Sequence, residues 1–405
     1  MKSIILSYTD IGGAGRAAIN INRSLKKNNI QSELFVKNKN TNLENVKTFY
    51  KKKLFDFDKF KEKINRNICK IEKKKIFSYQ SPSLFPTNLS KRLNNSEFDI
   101  IHLCWINEFL SVEDIGKIKK PLVWSLCDMW PFSGINHYDY DGEEALWRKN
   151  NYSRKRKFSL DQWLINRKVN SWIKKINVVV PNKWMFDCVK DSKVMSNFNC
   201  EIIKWPIDNN FFSIRDKNLA KKKFNFEKKK LVLFACSNGL KDKRKGWKYL
   251  NKCLSMTNEI FDLIILSSKE NYEINKNFKG KVIWIDKINN DLVLSDLYNS
   301  VDCLVLPSEH DNSPLVALEA QSCGLPIVTF DCNGMSEIVD HKEIGFKAEP
   351  YNIKQFAEGI DWALKNSDQK SMKDKILSKS KEYSMNIVGA KYTKLYKKIL
   401  NYELY

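Results

Sequence analysis

Two carboxylates, Asp311 and Glu319, lie eight residues apart around the predicted start of a helix, and a short apolar strand follows them. Pro314 suits the first helical position, and Gly324 ends the helix. Backbone N–H groups in the first turn of such a helix favour an anion such as a diphosphate. Glu319, about one and a half turns into the helix, is placed to accept hydrogen bonds from a ribose diol. The competing interpretation is an ordinary connection between a helix and a strand.

A basic loop offers a second phosphate-binding feature. Residues 241–247 read Lys-Asp-Lys-Arg-Lys-Gly-Trp and follow an apolar run that predicts a buried strand. A Lys or Arg at this place would neutralise the charge that grows on a departing diphosphate. Taken without other motifs, a charged loop of this kind is solvated surface.

A glycine-rich turn follows the first predicted strand. Gly12 and Gly13 precede Arg16, the expected start of a helix that runs to Lys27. Glycines let the backbone approach a ligand at a helix N-terminus, where an anionic oxygen is favoured. Such a turn alone does not specify a ligand.

The pattern of apolar runs predicts an α/β fold with two doubly wound, Rossmann-like domains. Five strands are predicted in residues 1–205, at 2–8, 32–37, 99–104, 122–126 and 177–180. Six more are predicted in residues 206–385, at 230–236, 261–266, 281–285, 301–306, 326–330 and 345–348. Ligand sites at the carboxyl ends of these strands would face each other across a cleft.

Residues 311–329 resemble the C-terminal signature of the retaining glycosyltransferases of family 4. In that family two Glu residues, separated by seven others, precede a Cys-Gly-Leu/Thr-Pro strand entry. Asp311 stands in place of the first Glu and is one methylene shorter. Residues 334–339 resemble the family's Gly-x-x-Glu-Ile-Val, which implies that Glu337 helps to close the donor pocket. Residues 99–107 and 124–138 resemble a colanic-acid-type branch of the family.

The resemblance covers nearly the whole chain and implies the GT-B fold. Residues 1–205 would form the acceptor-side domain, residues 206–385 the nucleotide-sugar domain, and the C-terminal helix at 386–405 would pack back on the first domain. The implied reaction moves a sugar, with retained configuration, from a nucleotide diphosphate sugar to a hydroxyl of a glycan or lipid-linked acceptor. Such enzymes serve surface polysaccharide or glycoconjugate biosynthesis. We expect no cofactor and no metal requirement.

The resemblance also implies roles for single residues. Lys245 would hold the diphosphate, and either Arg244 or Lys241 would replace an arginine that the family carries earlier in the loop. Asp311 would orient the sugar hydroxyls together with a short backbone segment, which consists of Asn312, Ser313, Pro314 and Leu315. Glu319 would hold the ribose, and the leaving phosphate itself would act as the base.

Two cysteines depart from the branch pattern. Cys104 and Cys127 stand where the branch has histidine, and the second of those histidines lies at the donor sugar; the adjacent Asp128 and His137 match the motif. A cysteine is smaller and mostly neutral near pH 7. Either the site has adapted to another sugar or acceptor, or catalysis has been lost. The alternative function is therefore a catalytically silent GT-B protein that binds nucleotide sugar or glycan as an assembly subunit.

Composition limits the partners. The formal charge is +23, but the lysines are spread along the chain and no nucleic-acid module appears, so we expect no nucleic acid partner. Residues 57–75 combine apolar residues at helical spacing with many lysines, which predicts a basic amphipathic helix. It either covers the core or lies on an anionic membrane surface. The polar N-terminus predicts a cytoplasmic protein, with the inner face of the membrane as its possible location.

Overall fold

The computed structural model describes residues 1–49, 55–70, 79–138, 142–150, 159–174, 176–227, 229–236, 239–268 and 272–401. The chain divides into two compact units. The N-terminal unit comprises Met1–Pro206 and Val388–Tyr405, and the C-terminal unit comprises Ile207–Ile387. Each unit is built on one parallel sheet, which confirms the predicted pair of α/β Rossmann-like domains.

The N-terminal unit carries a seven-stranded sheet in the order β3-β2-β1-β4-β5-β6-β7. Its strands are β1 Lys2–Thr9, β2 Gln31–Asn38, β3 Val46–Thr48, β4 Ile100–Leu103, β5 Leu122–Ser125, β6 Asn177–Val180 and β7 Cys200–Ile202. Its helices are α1 Gly12–Lys27, α2 Phe55–Cys69, α3 Leu89–Asn94, α4 Val112–Gly116, α5 Leu160–Ser171 and α6 Lys183–Lys190. The edge strands β3 and β7 were not predicted.

The C-terminal unit carries a six-stranded sheet in the order β10-β9-β8-β11-β12-β13. Its helices are α7 Lys217–Lys223, α8 Trp247–Cys253, α9 Asp291–Ser300, α10 Leu315–Ser322, α11 Ile353–Asn366 and α12 Lys370–Ser380, and α13 Met385–Ile399 follows them. Its strands are β8 Leu231–Ala235, β9 Asp262–Leu266, β10 Val282–Ile285, β11 Cys303–Leu306, β12 Ile327–Phe330 and β13 Gly345–Ala348.

The central strands are uninterrupted apolar runs because helices cover both faces of a parallel sheet. All five residues of β8 are buried, as are all four of β11 and of β12. In the N-terminal unit β1 lies between β2 and β4, and in the C-terminal unit β8 lies between β9 and β11. The strand order reverses at these two places, so ligand sites are expected at the carboxyl ends of these strands.

The helix α13 continues into the N-terminal unit, where a buried chain of polar groups fixes it to the sheet. The two ring nitrogens of His102 lie 2.6 Å from the Tyr396 hydroxyl and 2.7 Å from the Ser125 hydroxyl. The Tyr392 hydroxyl lies 2.9 Å from the same Ser125 oxygen. Because all four groups are buried, these hydrogen bonds set the position of the helix along the sheet.

The basic helix predicted within residues 57–75 begins earlier, at Phe55, and α2 ends at Cys69. Cys69 and Asn65 are buried against the unit, whereas Phe60 is 57% exposed. Residues 71–75, with the run of three lysines, lie outside the described residues. Within the described part of the chain, none of the helices combines the length and the apolar character needed to cross a bilayer.

Candidate active site

A cluster of four charged side chains lies at the carboxyl edge of the C-terminal sheet. It comprises Asp242, Arg244, Lys245 and Asp311, and we call it the charge cluster. The chain turns sharply after Lys245 because Gly246 adopts φ +74°. A side chain at Gly246 would begin 1.8 Å from the carbonyl oxygen of Pro307, so only glycine lets this loop approach the end of β11.

The Asp311 carboxylate is the centre of the charge cluster. Its Oδ2 atom lies 2.5 Å from Lys245 Nζ and 3.5 Å from Arg244 Nη1. Arg244 also donates to Asp242 Oδ2 at 3.1 Å and to the carbonyl oxygen of His310 at 3.0 Å. Burial alone would raise the pKa of Asp311, but the charges of Lys245 and Arg244 outweigh it and hold that pKa below its usual value. Asp311 is therefore ionised at neutral pH.

The helix α10 begins beside the charge cluster. Pro314 is its N-cap residue and Leu315 its first helical residue, so the expected placement of Pro314 inside the helix was wrong by one position. The preceding Asn312 is buried and Ser313 is half-buried. The N-terminal end of this helix favours an anion, and the structure brings it next to Asp311.

Glu319 lies one and a half turns along α10, but its carboxylate points into the protein. Its side chain is only 1% exposed, and the Tyr298 hydroxyl of α9 donates a 2.9 Å hydrogen bond to its Oε2 atom. One of its two oxygens thus already accepts a hydrogen bond within the protein, and the role of Glu319 in holding a ribose diol stays a prediction. Sequence analysis missed Tyr298, because a tyrosine at this position of a helix belongs to no motif.

The turn at Asn333–Glu337 is tied to the same edge of the sheet. The backbone N–H of Gly334 donates to the carbonyl oxygen of Asp311 at 3.2 Å, and the Asn333 side chain donates to that of Glu309 at 2.7 Å. The structure thus brings this motif to the charge cluster. The side chain of Glu337 itself is exposed.

The glycine-rich turn of the N-terminal unit lies within a helix rather than before one. The helix α1 starts at Gly12, four residues earlier than predicted, and Arg16 is a half-buried residue of its second turn. Open space adjoins Gly12 and Gly13, so their backbone is accessible to a ligand. Gly15 is needed for packing, because a side chain there would begin 2.8 Å from the carbonyl oxygen of Thr9.

Asp128 and His137 belong to a buried hydrogen-bonded network in the N-terminal unit. Nδ1 of His137 lies 2.5 Å from Asp128 Oδ2, and its Nε2 lies 2.8 Å from the Ser81 hydroxyl. The indole N–H of Trp105 donates to the same Asp128 oxygen at 2.8 Å. Through these contacts, Asp128 and His137 fix the position of the half-buried Trp105 side chain. Sequence analysis missed Ser81, which lies 56 residues before His137 and in no motif.

The helix α5 anchors the loop that joins Asp128 to His137. The Lys168 ammonium donates to the carbonyl oxygens of Trp130, Ser133 (2.9 Å) and Gly134 (3.2 Å). Burial lowers the pKa of Lys168 well below its usual value. Two turns earlier on the same helix, Asp161 accepts from the backbone N–H of Ile135 at 2.8 Å. The loop is therefore held rigidly.

Cys127 is half-buried beside this network, and Cys104 is buried at the end of β4. Burial raises the pKa of the Cys127 thiol well above its usual value and does the same for Cys104. Both thiols are therefore neutral at physiological pH. A neutral thiol cannot act as the charged or strongly donating group that an imidazole supplies.

Comparisons with known proteins agree with this arrangement. Residues 216–404, slightly less than half of the chain, match the family model of glycosyl transferases group 1. The Anabaena protein HepE, solved with UDP and glucose, has a TM-score of 0.67 at 14% identity over 98% of this chain and 100% of its own. This likeness defines the GT-B fold of the glycosyltransferases for the whole chain.

Sequence relatives carry glycosyltransferase names. An uncharacterised glycosyltransferase of Haemophilus influenzae is 34% identical over 44% of this chain and 52% of its own length. The N,N'-diacetylbacillosaminyl-diphospho-undecaprenol alpha-1,3-N-acetylgalactosaminyltransferase of Campylobacter jejuni is 26% identical over 45% of this chain and 49% of its own. In these alignments the chain spans about half the length of the curated relatives it matches.

Proposed function

We propose that this protein is a retaining glycosyltransferase, which moves a sugar from a nucleotide diphosphate sugar to a hydroxyl of a glycan or lipid-linked acceptor. The observation that carries the proposal is the charge cluster beside the N-terminus of α10, within the residues that match the group 1 family model. UDP and glucose in HepE and the diphospho-undecaprenol acceptor in the name of the Campylobacter relative support the substrate classes. The process would be surface polysaccharide or glycoconjugate synthesis.

The donor diphosphate would bind through Lys245 and the first turn of α10. An ammonium group has three N–H donors, and one of them points to Asp311, so the others remain for phosphate oxygens. Arg244 is held between Asp242 and Asp311 and contributes mainly by fixing the position of Asp311. Positive groups fixed in advance stabilise the charge that develops on the leaving diphosphate without a bound metal.

The sugar would be oriented by Asp311 and by the backbone of residues 312–315. Asp311 keeps its negative charge and can accept hydrogen bonds from sugar hydroxyls through the lone pairs that Lys245 leaves unused. Glu319 is proposed to hold the ribose, which requires the side chains that cover it to move. No side chain is proposed as a covalent nucleophile, and the leaving phosphate would accept the acceptor's proton.

The finer assignment is to family 4 and its colanic-acid-type branch. Its support is the network around Asp128, in which Trp105 and His137 of the two branch motifs meet on one carboxylate. We propose that this network shapes the acceptor side, together with the open backbone at Gly12 and Gly13. We further propose a cytoplasmic protein that works at the inner face of the membrane, where lipid-linked acceptors are found.

A catalytically silent protein that binds nucleotide sugar is the second candidate. The neutral, half-buried thiol of Cys127 favours it, because the branch places a histidine at that position. Both candidates predict nucleotide binding, and only the first predicts turnover.

The test is a melting curve in the presence of nucleoside diphosphates, with magnesium or with a chelator, followed by release of nucleoside diphosphate from a panel of nucleotide sugars. We expect stabilisation by at least one nucleoside diphosphate in the chelator, and turnover of its sugar derivative. Lys245→Met should weaken nucleotide binding by about ten- to a hundredfold. Lys243→Met, at an exposed lysine of the same loop, is the matched control.

The outcomes separate the candidates. Binding without release of nucleoside diphosphate would favour the silent protein. Binding that strictly requires magnesium or manganese would contradict the proposed role of Lys245 and α10. The absence of nucleotide binding by any member of the panel would overturn both functions.

A further inference from the structure

Tyr351 has a backbone conformation that disfavours its side chain. Its φ is +65°, in the left-handed region, and among the described non-glycine residues with positive φ it is the one aromatic residue. Bulky residues are rare there because Cβ crowds the backbone, and Gly or Asn would fit with less strain. Strained residues of this kind concentrate at functional sites.

The strained backbone presents the ring of Tyr351 at the surface. Its ring lies 5.5 Å from the ring of Tyr249 with an interplanar angle of 23°, and the buried Phe330 contacts both rings edge-on. Tyr351 remains 44% exposed although one of its faces rests on Tyr249. We call this pair of stacked rings the tyrosine platform. It is firmly supported from below and open to solvent.

A balanced ion pair borders the tyrosine platform. Glu309 accepts a 2.9 Å hydrogen bond from the Tyr249 hydroxyl and pairs with Lys248 Nζ at 2.5 Å. The same ammonium lies 4.7 Å from the centre of the Tyr249 ring. The two charges cancel, so this border offers hydrogen-bond donors and acceptors without attracting an anion or a cation.

The tyrosine platform adjoins the charge cluster. The backbone N–H of Glu309 donates to the carbonyl oxygen of Arg244 at 2.7 Å, and Glu309 lies two residues before Asp311. Lys248 follows Lys245 by three residues along the chain, beyond the turn at Gly246. A ligand on the platform would therefore lie beside the proposed diphosphate site of the same unit.

We infer that the tyrosine platform binds a pyranose ring of a saccharide substrate, with the C–H face of the sugar on Tyr351 and its hydroxyls on Glu309 and Lys248. An exposed aromatic face combined with a polar border of zero net charge suits an uncharged, polyhydroxylated ring. The inference takes its ligand class from the proposed function. A nucleobase would also stack on a tyrosine, and the test must distinguish it from a sugar.

The test is saturation-transfer NMR on the full chain. The probes are the methyl α-glycosides of glucose, galactose, N-acetylglucosamine and N-acetylgalactosamine, each with and without UDP. Tyr351→Asn and Tyr351→Gly remove the ring and suit the left-handed backbone, so both variants are expected to fold. Tyr351→Phe retains the ring. Lys342→Asn is the matched control, because Lys342 also has a positive φ, of +59°, in the same unit.

We expect saturation transfer to the ring protons of at least one glycoside, with little change when UDP is added. In both variants that lack the ring, this signal should be about tenfold weaker. Tyr351→Phe and Lys342→Asn should retain it. A signal that persists without the ring, or no signal from any glycoside, would overturn the inference.

Competition by UDP would also overturn it, because the platform would then bind the nucleotide base. The melting curves with nucleoside diphosphate, repeated on Tyr351→Asn, keep the two proposals apart. Normal nucleotide stabilisation without saccharide binding would remove this inference and leave the proposed function intact. Saccharide binding that depends on Tyr351, in a protein that binds no nucleotide, would support this inference and remove the proposed function.

Discussion

The Tyr298 hydroxyl donates a 2.9 Å hydrogen bond to Glu319 Oε2, which joins α9 to α10 through a carboxylate that is 1% exposed. Two roles compete for Glu319. It either anchors Tyr298 or holds the ribose of a donor, and the buried conformation gives direct support only to the first role. Substitutions of the two residues separate these roles.

Glu319→Ala should weaken nucleotide binding by about 1.5 to 3 kcal/mol, or ten- to a hundredfold, if the carboxylate accepts hydrogen bonds from ribose. Glu319→Gln should recover part of this loss and can still accept from Tyr298. Tyr298→Phe removes the internal hydrogen bond and keeps the carboxylate, so it should lower the melting temperature but spare affinity. Calorimetric titration with UDP measures the affinity, and a melting curve measures the stability. Normal UDP binding by a folded Glu319→Ala variant would leave Glu319 a structural role alone.

The half-buried thiol of Cys127 leads to a second prediction. In an adapted site, Cys127→His should lower turnover or change the preferred donor, since a larger ring enters space shaped for a thiol. If this replacement abolished catalysis in the natural protein, the histidine should instead create activity. Release of nucleoside diphosphate from the donor panel is the measurement.

Cys200→His serves as the control for Cys127→His, because Cys200 is a half-buried cysteine on the edge strand β7 of the same unit. It should leave the donor preference unchanged. If Cys127→His has no effect either, the Cys127 side chain does not face the donor.

The sheets could be predicted from the sequence because, in a parallel α/β fold, continuous apolar runs form the buried strands. All eleven predicted strands are present. The two that were missed, Val46–Thr48 and Cys200–Ile202, are three-residue edge strands in which only Val46 is buried, too short for a pattern to emerge. The start of α1 was placed too late because four residues with three glycines suggested a loop, although the helix begins there.

The pairing of site residues could not be predicted in the same way. Lys245 and Asp311 were assigned to different parts of a donor, but 66 residues apart in the chain they form one ion pair. Ser81 and Tyr298 belong to no motif. Folding brings them within hydrogen-bond distance of His137 and Glu319, respectively. Motifs identify such residues one by one, whereas contacts between distant segments determine which of their atoms remain for a ligand.

The helix α2 leads to a third prediction, on membrane binding. Lys63 and Arg66 of α2 and the adjacent Lys70 are exposed, and Phe60 of the predicted apolar stripe is exposed as well. If α2 lies on anionic lipid, reversing these three charges to Glu should weaken binding to phosphatidylserine vesicles by about 3 kcal/mol or more, over a hundredfold. Binding by the unaltered protein should also weaken as salt rises.

Vesicle co-sedimentation measures this binding. The control is a variant with the same change in net charge at three exposed lysines of the C-terminal unit: Lys222, Lys252 and Lys279. It should bind like the unaltered protein. Equal loss in both variants would mean that overall charge, rather than α2, attracts the lipid. Equal binding to vesicles of neutral lipid would contradict an electrostatic surface altogether.

The fourth prediction concerns His102, whose burial lowers its pKa to about 3. In the unfolded chain the imidazole has a pKa of about 6.5. Between these values the unfolded chain binds a proton that the folded protein does not, so the contribution of His102 to stability is complete above about pH 6.5. It is lost as the pH falls towards 3, at up to about 1.4 kcal/mol per pH unit.

His102→Gln keeps hydrogen-bonding groups near Ser125 and Tyr396 but cannot take up a proton in this range. The variant should be less stable than the natural protein at neutral pH, because the amide fits the two hydroxyls less well. The difference should shrink as the solution becomes acidic, since only the natural protein loses the histidine's contribution. Scanning calorimetry across about pH 7 to 4.5 measures the effect and resolves separate unfolding of the two units. His341→Gln, at an exposed histidine whose pKa is lowered by partial burial and by Lys342 and Lys347, should change the pH dependence less than His102→Gln does. If the difference in stability between His102→Gln and the natural protein stays constant with pH, His102 takes up no proton on unfolding. The buried hydrogen bonds between His102 and Tyr396 would then not account for the protein's sensitivity to acid.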